Sequence, residues 1–275
     1  MADPALAHDS AAATLAPPGH GQGDAHAHHP NLQHHFEDLE QQRDASNLGM
    51  WTFLGTEVMF FAGVIGAYLV YRFTSPDVWA ACSGHLNMPL ATLNTVVLLT
   101  SSLTMALAVH AGELGVKRDQ IRYLIATMVL GSLFLVFKGY EYYEEYEAGL
   151  IPGANFNVAS LHLPTTLDPA ELSTEERAEV AVTTRSASVL TVSPAEFAGR
   201  RAKLFFTFYF VMTGLHAIHM IVGLVMLGCI LTLARRGRFT PSYHNPLEVA
   251  GLYWHFIDIV WVFLFPLLYL VALHK

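Results

Sequence analysis

Cysteine and charged residues are both scarce in this chain of 275 residues. Only Cys82 and Cys229 occur, so neither a disulfide framework nor a paired-cysteine metal site is available. Charged residues make up 14% of the chain, and 15 Lys and Arg against 23 Asp and Glu give a net charge of −8. This balance excludes the basic surface that nucleic acid requires. The N-terminus lacks a basic segment followed by a short apolar run, so we expect no cleavable signal peptide.

Apolar residues are abundant instead. They make up 53% of the chain, which is typical of a polytopic membrane protein and not of a soluble domain. Five apolar runs are long enough for a helix to cross about 30 Å of hydrocarbon. The predicted fold is therefore an all-α membrane protein, a bundle of five transmembrane helices at about 48–72, 90–111, 121–143, 204–233 and 249–273.

Two segments outside these spans have a polar composition. Residues 1–46 are rich in Ala, Gly, Pro, Asp and His, and we expect a disordered tail in which Phe36–Gln42 could become ordered against a partner. Its seven histidines could bind Zn²⁺ or Cu²⁺ adventitiously or buffer protons. Residues 47–275 are then one membrane domain, which carries a long polar loop at 148–202.

The distribution of basic residues predicts the orientation of the bundle. Short loops that contain Lys117 and Arg235 follow the second and fourth spans, and such loops favour the cytoplasmic side. We therefore expect a cytoplasmic N-terminus and a periplasmic C-terminus. Arg200, Arg201 and Lys203 lie on the opposite side, but they end a long loop, where the rule weakens.

Ionisable residues occur inside the predicted spans, where a charge is costly. Glu57 and Asp258 each lie about nine residues past the start of their helix, or ~14 Å deep at 1.5 Å per residue. His255 is three residues before Asp258 and shares its helical face, as do His216 and His219 on the fourth span. We expect these five residues to form one buried polar layer.

Three interpretations of this layer compete. Pairs of histidine or acid on separate helices could bind a metal or ligate haem, although no Glu-xx-His pair is present. Intramembrane acids could instead relay protons. The simplest interpretation is structural: the imidazoles and acids satisfy each other, join helices, or bind lipid headgroups. The loose spacing of the pairs favours this last interpretation.

Residues near the ends of the spans predict contacts with lipid. Aromatic and basic side chains are typical of the membrane–water interface. Lys138 and Glu141 are three residues apart and can pair at that boundary. We expect lipid contacts from Trp51, Arg72, Lys138, Glu141, Arg235 and Arg236. The small polar residues of the second span should hydrogen-bond between helices: Asn94, Thr95, Thr100, Ser101, Ser102 and Thr104.

Five segments of the membrane part are diagnostic: GMWTFLGTEVMFFAG (49–63), LNTVVLLTSS (93–102), EYYEEYEAGLIPG (141–153), FFTFYFVMTGLHAIHMIVG (205–223) and EVAGLYWHFIDIVWVFLFPLLYL (248–270). Together they resemble subunit III of the haem–copper oxidases, the cytochrome c oxidase subunit III family. They occur in the family's order and cover the membrane part from about 48 to 272.

The resemblance implies a non-catalytic subunit with no cofactor and no metal of its own. In that family haem and copper lie in subunits I and II, while subunit III packs on subunit I, binds phospholipid and sustains proton uptake and turnover lifetime. Glu57 matches the family's carbodiimide-reactive glutamate, and His216, His219, His255 and Asp258 match motif positions in its last two helices. The implied partners are subunits I and II, with possible contacts to subunit IV and a cytochrome c.

The chain departs from the family pattern in one respect. Many members have seven spans, with a lipid cleft between the first two and the other five, and those first two are absent here. We expect this chain to be subunit III of a proton-pumping cytochrome c oxidase in the bacterial inner membrane. A subunit III of a quinol oxidase, or an accessory subunit of nitric oxide reductase, is the alternative within the family. A stand-alone transporter or metal-binding membrane protein is the alternative of another class.

Overall fold

The described part of the chain is helical. The computed structural model describes residues 36–153, 156–161, 163, 194–241 and 243–271. Five of its helices are long and apolar enough to cross a membrane, which confirms the predicted all-α fold with five spans. The helices are α1 (Leu39–Thr74), α2 (Pro76–His85), α3 (Met88–Glu113), α4 (Lys117–Glu147), α5 (Pro194–Arg235) and α6 (Asn245–Tyr269), with a 3-10 turn at Val158–Ser160 between α4 and α5.

Helix α1 begins at Leu39 and not near residue 48, because the preceding residues cap it. The Asp38 carboxylate accepts a hydrogen bond from the backbone N–H of Gln41 at 2.7 Å. The Gln41 side-chain oxygen in turn accepts one from the N–H of Glu37 at 2.8 Å. These bonds satisfy donors that a helix start otherwise leaves free. Residues 39–46, expected in the disordered tail, are therefore helical; residues 1–35 lie outside the described residues.

Helix α2 lies where the sequence predicted only a loop. Trp79 and Cys82 on this short helix are fully buried. The Trp79 ring contacts Tyr68 of α1 at a centroid distance of 6.2 Å and Phe205 of α5 at 5.8 Å. Burial raises the pKa of the Cys82 thiol to about 12. Helix α2 thus joins the ends of two spans on one side of the bundle.

The expected polar loop at 148–202 is shorter than its predicted bounds. Residues 194–202 form the first turns of α5, and only residues 148–153, 156–161 and 163 of the remainder are described. At 1.5 Å per residue the 42-residue α5 is about 63 Å long, so it extends well beyond the hydrocarbon.

Helix α6 is the centre of the bundle. Its backbone lies close to those of α1, α2, α3 and α5, and its side chains also contact α4, which packs closely against α3 and α5. In the apolar 18-residue stretch of each helix, 56% of α6 is buried within the chain, against 17% of α1. Among the described helices, α1 packs closely only against α2, α5 and α6. One lateral face of the bundle is therefore formed by a sparsely covered helix.

Polar residues of α3 connect it to both neighbours, as the sequence predicted, except that Thr100 bonds within α3 itself, to the Val96 carbonyl. Ser101 Oγ donates to the backbone carbonyl of Thr127 on α4 at 3.2 Å and accepts from Trp254 Nε1 of α6 at 3.2 Å. Trp261 Nε1 of α6 donates to Thr95 Oγ1 at 3.0 Å. Such short polar side chains let helices approach closely and hydrogen-bond across their contact.

The turn between α3 and α4 packs against the connection between α5 and α6. Gly115 has φ +69, and a Cβ at this position would lie 3.0 Å from Pro241 Cγ. Both the backbone conformation and the close approach therefore require glycine. This contact brings the C-terminal end of α3 and the N-terminal end of α6 to the same face of the bundle.

Candidate functional site

Glu57 of α1 and His219 of α5 form a direct pair across two spans. Glu57 Oε2 lies 3.1 Å from His219 Nε2, and the side chains are 20% and 17% exposed. His219 Nδ1 lies 2.8 Å from the carbonyl oxygen of Leu215, which only accepts, so Nδ1 carries a proton. The contact between Nε2 and Oε2 therefore contains one proton, held either by the imidazole or by the carboxyl group.

Aromatic rings enclose one side of this pair. The Phe61 ring packs edge-to-face on His219 at a centroid distance of 5.3 Å. Tyr253 Oη of α6 donates to the backbone carbonyl of His219 at 3.3 Å, and its ring contacts Phe53 at 6.1 Å. The remaining exposed part of Glu57 lies on the sparsely covered face formed by α1. A charge there requires a partner or a polar covering in a membrane.

His255 lies apart from this pair, on the side of α6 that faces α3. Its Nδ1 is 2.8 Å from Ser102 Oγ. His255 also lines a cleft of about 480 Å³ between α1, α3 and α6, with Trp51 and Leu252. The polar end of this cleft is formed by Asn47, His110, Glu113 and Glu248.

Asp258 and His216 are enclosed, at 3% and 1% exposure. Neither makes a hydrogen bond with any described residue. The Ser102 hydroxyl lies near Asp258, but it meets the geometry of a hydrogen bond only toward His255. The His216 ring lies against Phe134 at 5.5 Å and against Trp261 at 5.1 Å.

The five residues of the predicted polar layer are therefore divided among separate places. Among the described residues, a direct hydrogen bond joins only Glu57 and His219 within this set. His255 binds Ser102 instead, and the other two residues are buried without a partner. Helix spacing alone indicated which residues share a face, but not which neighbouring helix that face meets.

Lys138 and Glu141 lie inside the bundle and not at the lipid boundary where the sequence placed them. Their side chains are 4% and 2% exposed, and Lys138 Nζ is 2.9 Å from Glu141 Oε2. Lys138 Nζ also donates to Tyr269 Oη at 2.9 Å and lies 3.3 Å from Tyr209 Oη. A charge this deep needs both a counter-charge and further hydrogen bonds, and this site has both.

Two tyrosines complete the group, and the sequence did not identify either. Tyr209 Oη of α5 donates to Glu141 Oε1 at 2.9 Å, and Tyr269 Oη of α6 donates to the same oxygen. Lys138 Nζ also lies 5.1 Å from the ring centroids of Tyr209 and Trp261, within cation–π distance. The four residues Lys138, Glu141, Tyr209 and Tyr269, here called the lysine cluster, join α4, α5 and α6.

The other predicted lipid contacts lie at accessible positions. Trp51 is 62% exposed, Arg72 is half-buried, and Arg235 and Arg236 are exposed at the end of α5. They stay predictions as lipid contacts.

A cluster of possible metal ligands that the sequence did not indicate lies at the end of the bundle where α3 ends and α6 begins. Ligand atoms of Glu113, His244 and Glu248 all lie within 4.8 Å of one another. His244 is four residues before Glu248, but Glu113 is far from both in sequence. The three residues come together because the turn that contains Gly115 packs on Pro241, a tertiary contact that the sequence does not reveal.

Fold and side chains together define a class: a five-span helical membrane protein that holds ionisable side chains within its spans, among them the Glu57–His219 pair and the lysine cluster. A family model described as cytochrome c oxidase subunit III matches residues 32–159 and 188–273. The chain belongs to the cytochrome c oxidase subunit III family, as its motifs indicated.

Relatives named cytochrome c oxidase subunit 3 match most of the chain. That of Corynebacterium diphtheriae is 28% identical over 82% of this chain and 87% of its own length. That of Thermostichus vulcanus is 27% identical over 86% of this chain and 92% of its own length. That of Salmo salar is 27% identical over 80% of this chain and 67% of its own length. The family makes this chain part of an enzyme complex and a multi-pass membrane protein.

Proposed function

We propose that this chain is the non-catalytic subunit III of a bacterial, proton-pumping cytochrome c oxidase. It packs on subunit I, contacts subunit II, and lies in the inner membrane with its N-terminus in the cytoplasm. Haem and copper belong to the partner subunits. The names of the bacterial relatives support cytochrome c, and not quinol, as the electron donor of the complex.

The observation that carries this proposal is the Glu57–His219 pair on the α1 face. The two groups contact each other at 3.1 Å, yet each side chain keeps about a fifth of its surface exposed. Bare hydrocarbon is a costly neighbour for that surface. Phospholipid or subunit I would cover it, and a group that exchanges a proton there would support proton uptake by the neighbouring subunit.

The cleft between α1, α3 and α6 supports the lipid part of the proposal. Apart from His255, its inner wall is apolar, with Ala106, Val109 and Leu252, while its outer end is polar, with Asn47 and His110. An acyl chain and a headgroup need this combination of surfaces. Trp51 also lines the cleft, and its amphipathic ring suits the headgroup level.

The test is Glu57→Ala in the purified oxidase, with Glu147→Ala as control. Glu147 is exposed at the far end of α4, and within the described part of the chain its side chain bonds only to Tyr143, one turn earlier. We expect Glu57→Ala to assemble and to reduce O2 at the normal initial rate. Its active lifetime should shorten or its proton uptake slow, and Glu147→Ala should behave as wild type. Immediate loss of haem reduction by the donor would contradict the non-catalytic role.

A second measurement separates this proposal from a stand-alone protein. The chain should copurify with haem-bearing subunits and show no haem absorption when it is isolated from them. Haem absorption from the isolated chain would refute the proposal.

A further inference from the structure

We propose that Glu113, His244 and Glu248 bind a divalent transition-metal ion at the end of the bundle where α3 ends and α6 begins. This site is independent of the proposed function, and it departs from the expectation that the chain binds no metal. It rests on the convergence of one imidazole and two carboxylates from two segments that are distant in sequence.

The distances fit a single small ion. His244 Nε2 lies 2.7 Å from Glu248 Oε1, and all three ligand atoms lie within 4.8 Å of one another. Zn²⁺ binds imidazole nitrogen and carboxylate oxygen at about 2.0–2.2 Å in tetrahedral sites, which separates two ligand atoms by roughly 3.4 Å. His244 Nε2 and Glu248 Oε1 lie closer together than this value, and no pair of the three ligand atoms is more than 4.8 Å apart. Three protein ligands leave a fourth position for water.

The local charge favours a cation. Within the described part of the chain, neither Glu113 nor Glu248 forms a salt bridge with Lys or Arg; their ionic partners are the histidines His110 and His244. Glu113 is also the last residue of α3, where the partial negative charge of the helix end adds to the attraction. The three candidate ligands therefore bring two carboxylates and one imidazole together, with no Lys or Arg paired to the carboxylates among the described residues.

The site is both anchored and accessible. His244 and Glu248 keep side-chain exposures of 17% and 27%, and Glu113 keeps 48%. Glu113 and Glu248 line the polar end of the cleft of about 480 Å³, so a hydrated ion can reach them. At 2.7 Å the Glu248 carboxylate accepts the Nε2 proton of His244, so an ion bound at Nε2 would displace that proton to Nδ1, which is buried and has no partner among the described residues.

The mixed ligand set restricts the kind of ion. Imidazole suits Zn²⁺, Cu²⁺, Fe²⁺ and Ni²⁺, whereas Mg²⁺ and Ca²⁺ prefer oxygen ligands alone. A bound ion would join the end of α3 to the first turn of α6 and thereby fix the width of the cleft between them.

The test uses Zn²⁺ and the complete oxidase complex that contains the full chain. Crystals or grids of the complex, stripped with chelator and reloaded with Zn²⁺, should show a metal peak between Glu113, His244 and Glu248. Locating the peak separates this site from zinc that binds to the histidines of residues 1–35. No peak at this position under saturating Zn²⁺ would overturn the proposal.

Variants give an independent measure in solution. Glu248→Gln and Glu113→Gln should each weaken one zinc equivalent of the complex by at least ~10-fold, because each loses an anionic ligand. Glu40→Gln is the matched control: it removes an acid from the same face of the bundle, at a neighbouring groove. Equal zinc affinity in Glu248→Gln, Glu113→Gln and Glu40→Gln would contradict the proposal, even if all variants assemble normally.

Discussion

Helices α1 and α4 both carry a glutamate into the membrane, but the two glutamates have opposite surroundings. Glu141 of α4 is 2% exposed and accepts hydrogen bonds from a lysine and two tyrosines. Glu57 of α1 has one ionic partner, His219, and a side chain that is 20% exposed. The first carboxylate is satisfied by this chain alone, whereas the second needs something from outside it.

This difference separates a structural role from an interaction role. A fully enclosed ion pair with its hydrogen bonds complete joins helices and leaves nothing for another molecule to contact. A partly exposed pair on a sparsely packed helix is complete only when lipid or protein covers it. We therefore infer that the lysine cluster stabilises the subunit, and that Glu57 and His219 act in the complex.

The largest expected effect is that of Glu141→Leu. Removing one partner of a buried ion pair costs about 3–5 kcal/mol, because the other charge stays buried alone. Thermal unfolding of the detergent-solubilised complex should show early loss of this subunit. The double variant Lys138→Met/Glu141→Leu should recover part of the loss, because both charges are then removed. A double variant no more stable than Glu141→Leu would contradict this account of the cluster.

An intermediate effect is expected from a glycine on the closely packed side. A Cβ at Gly131 of α4 would lie 2.7 Å from Cη2 of Trp254, a fully buried ring. Gly131→Ala should therefore destabilise the chain by about 1–3 kcal/mol through overpacking. Gly63→Ala on α1 is the control, because nothing lies within 4 Å of its Cβ position. Equal losses in both variants would show that the two sides are packed alike.

The smallest effect concerns the only hydrogen bond made by the His255 ring in the described structure. Ser102→Ala removes the partner of His255 Nδ1 and should cost ~1 kcal/mol. Thr100→Ala should change the free energy of unfolding by less than about 0.5 kcal/mol, because its exposed hydroxyl bonds only the Val96 carbonyl of its own helix. If both substitutions have the same effect, His255 does not depend on α3.

Sequence reasoning identified the elements of the fold better than their contacts. Apolar runs of 20 or more residues predicted all five spans, since hydrocarbon thickness fixes the minimum length. The apolar pattern did not indicate the early start of α1, which depends on the cap at Asp38. It also did not indicate α2, because that helix is too short to show a long apolar run. Local hydrogen bonds and short packed helices lack the long periodic pattern that makes a span visible.

In the candidate site, too, the sequence indicated the polar residues better than their contacts. The sequence placed Glu57 and His219 in one polar layer with His216, His255 and Asp258, because all five lie in apolar runs, but among the described residues only Glu57 and His219 bond to each other. It could not predict that Lys138 and Glu141 turn inward, since their position near the end of an apolar run is equally typical of a lipid contact. Tyr209 and Tyr269 were not identified, because tyrosines near span ends usually indicate a membrane interface. Which helices are neighbours decides these cases, and that depends on tertiary packing.

The most direct test of this comparison is chemical labelling of the two glutamates in the same sample. The purified oxidase complex is treated with a hydrophobic carbodiimide, which forms an adduct with accessible carboxyl groups in apolar surroundings, and peptides of this subunit are then analysed by mass spectrometry. The account predicts an adduct at Glu57 and none at Glu141. Labelling of Glu141 at a rate equal to or above that of Glu57 would contradict it.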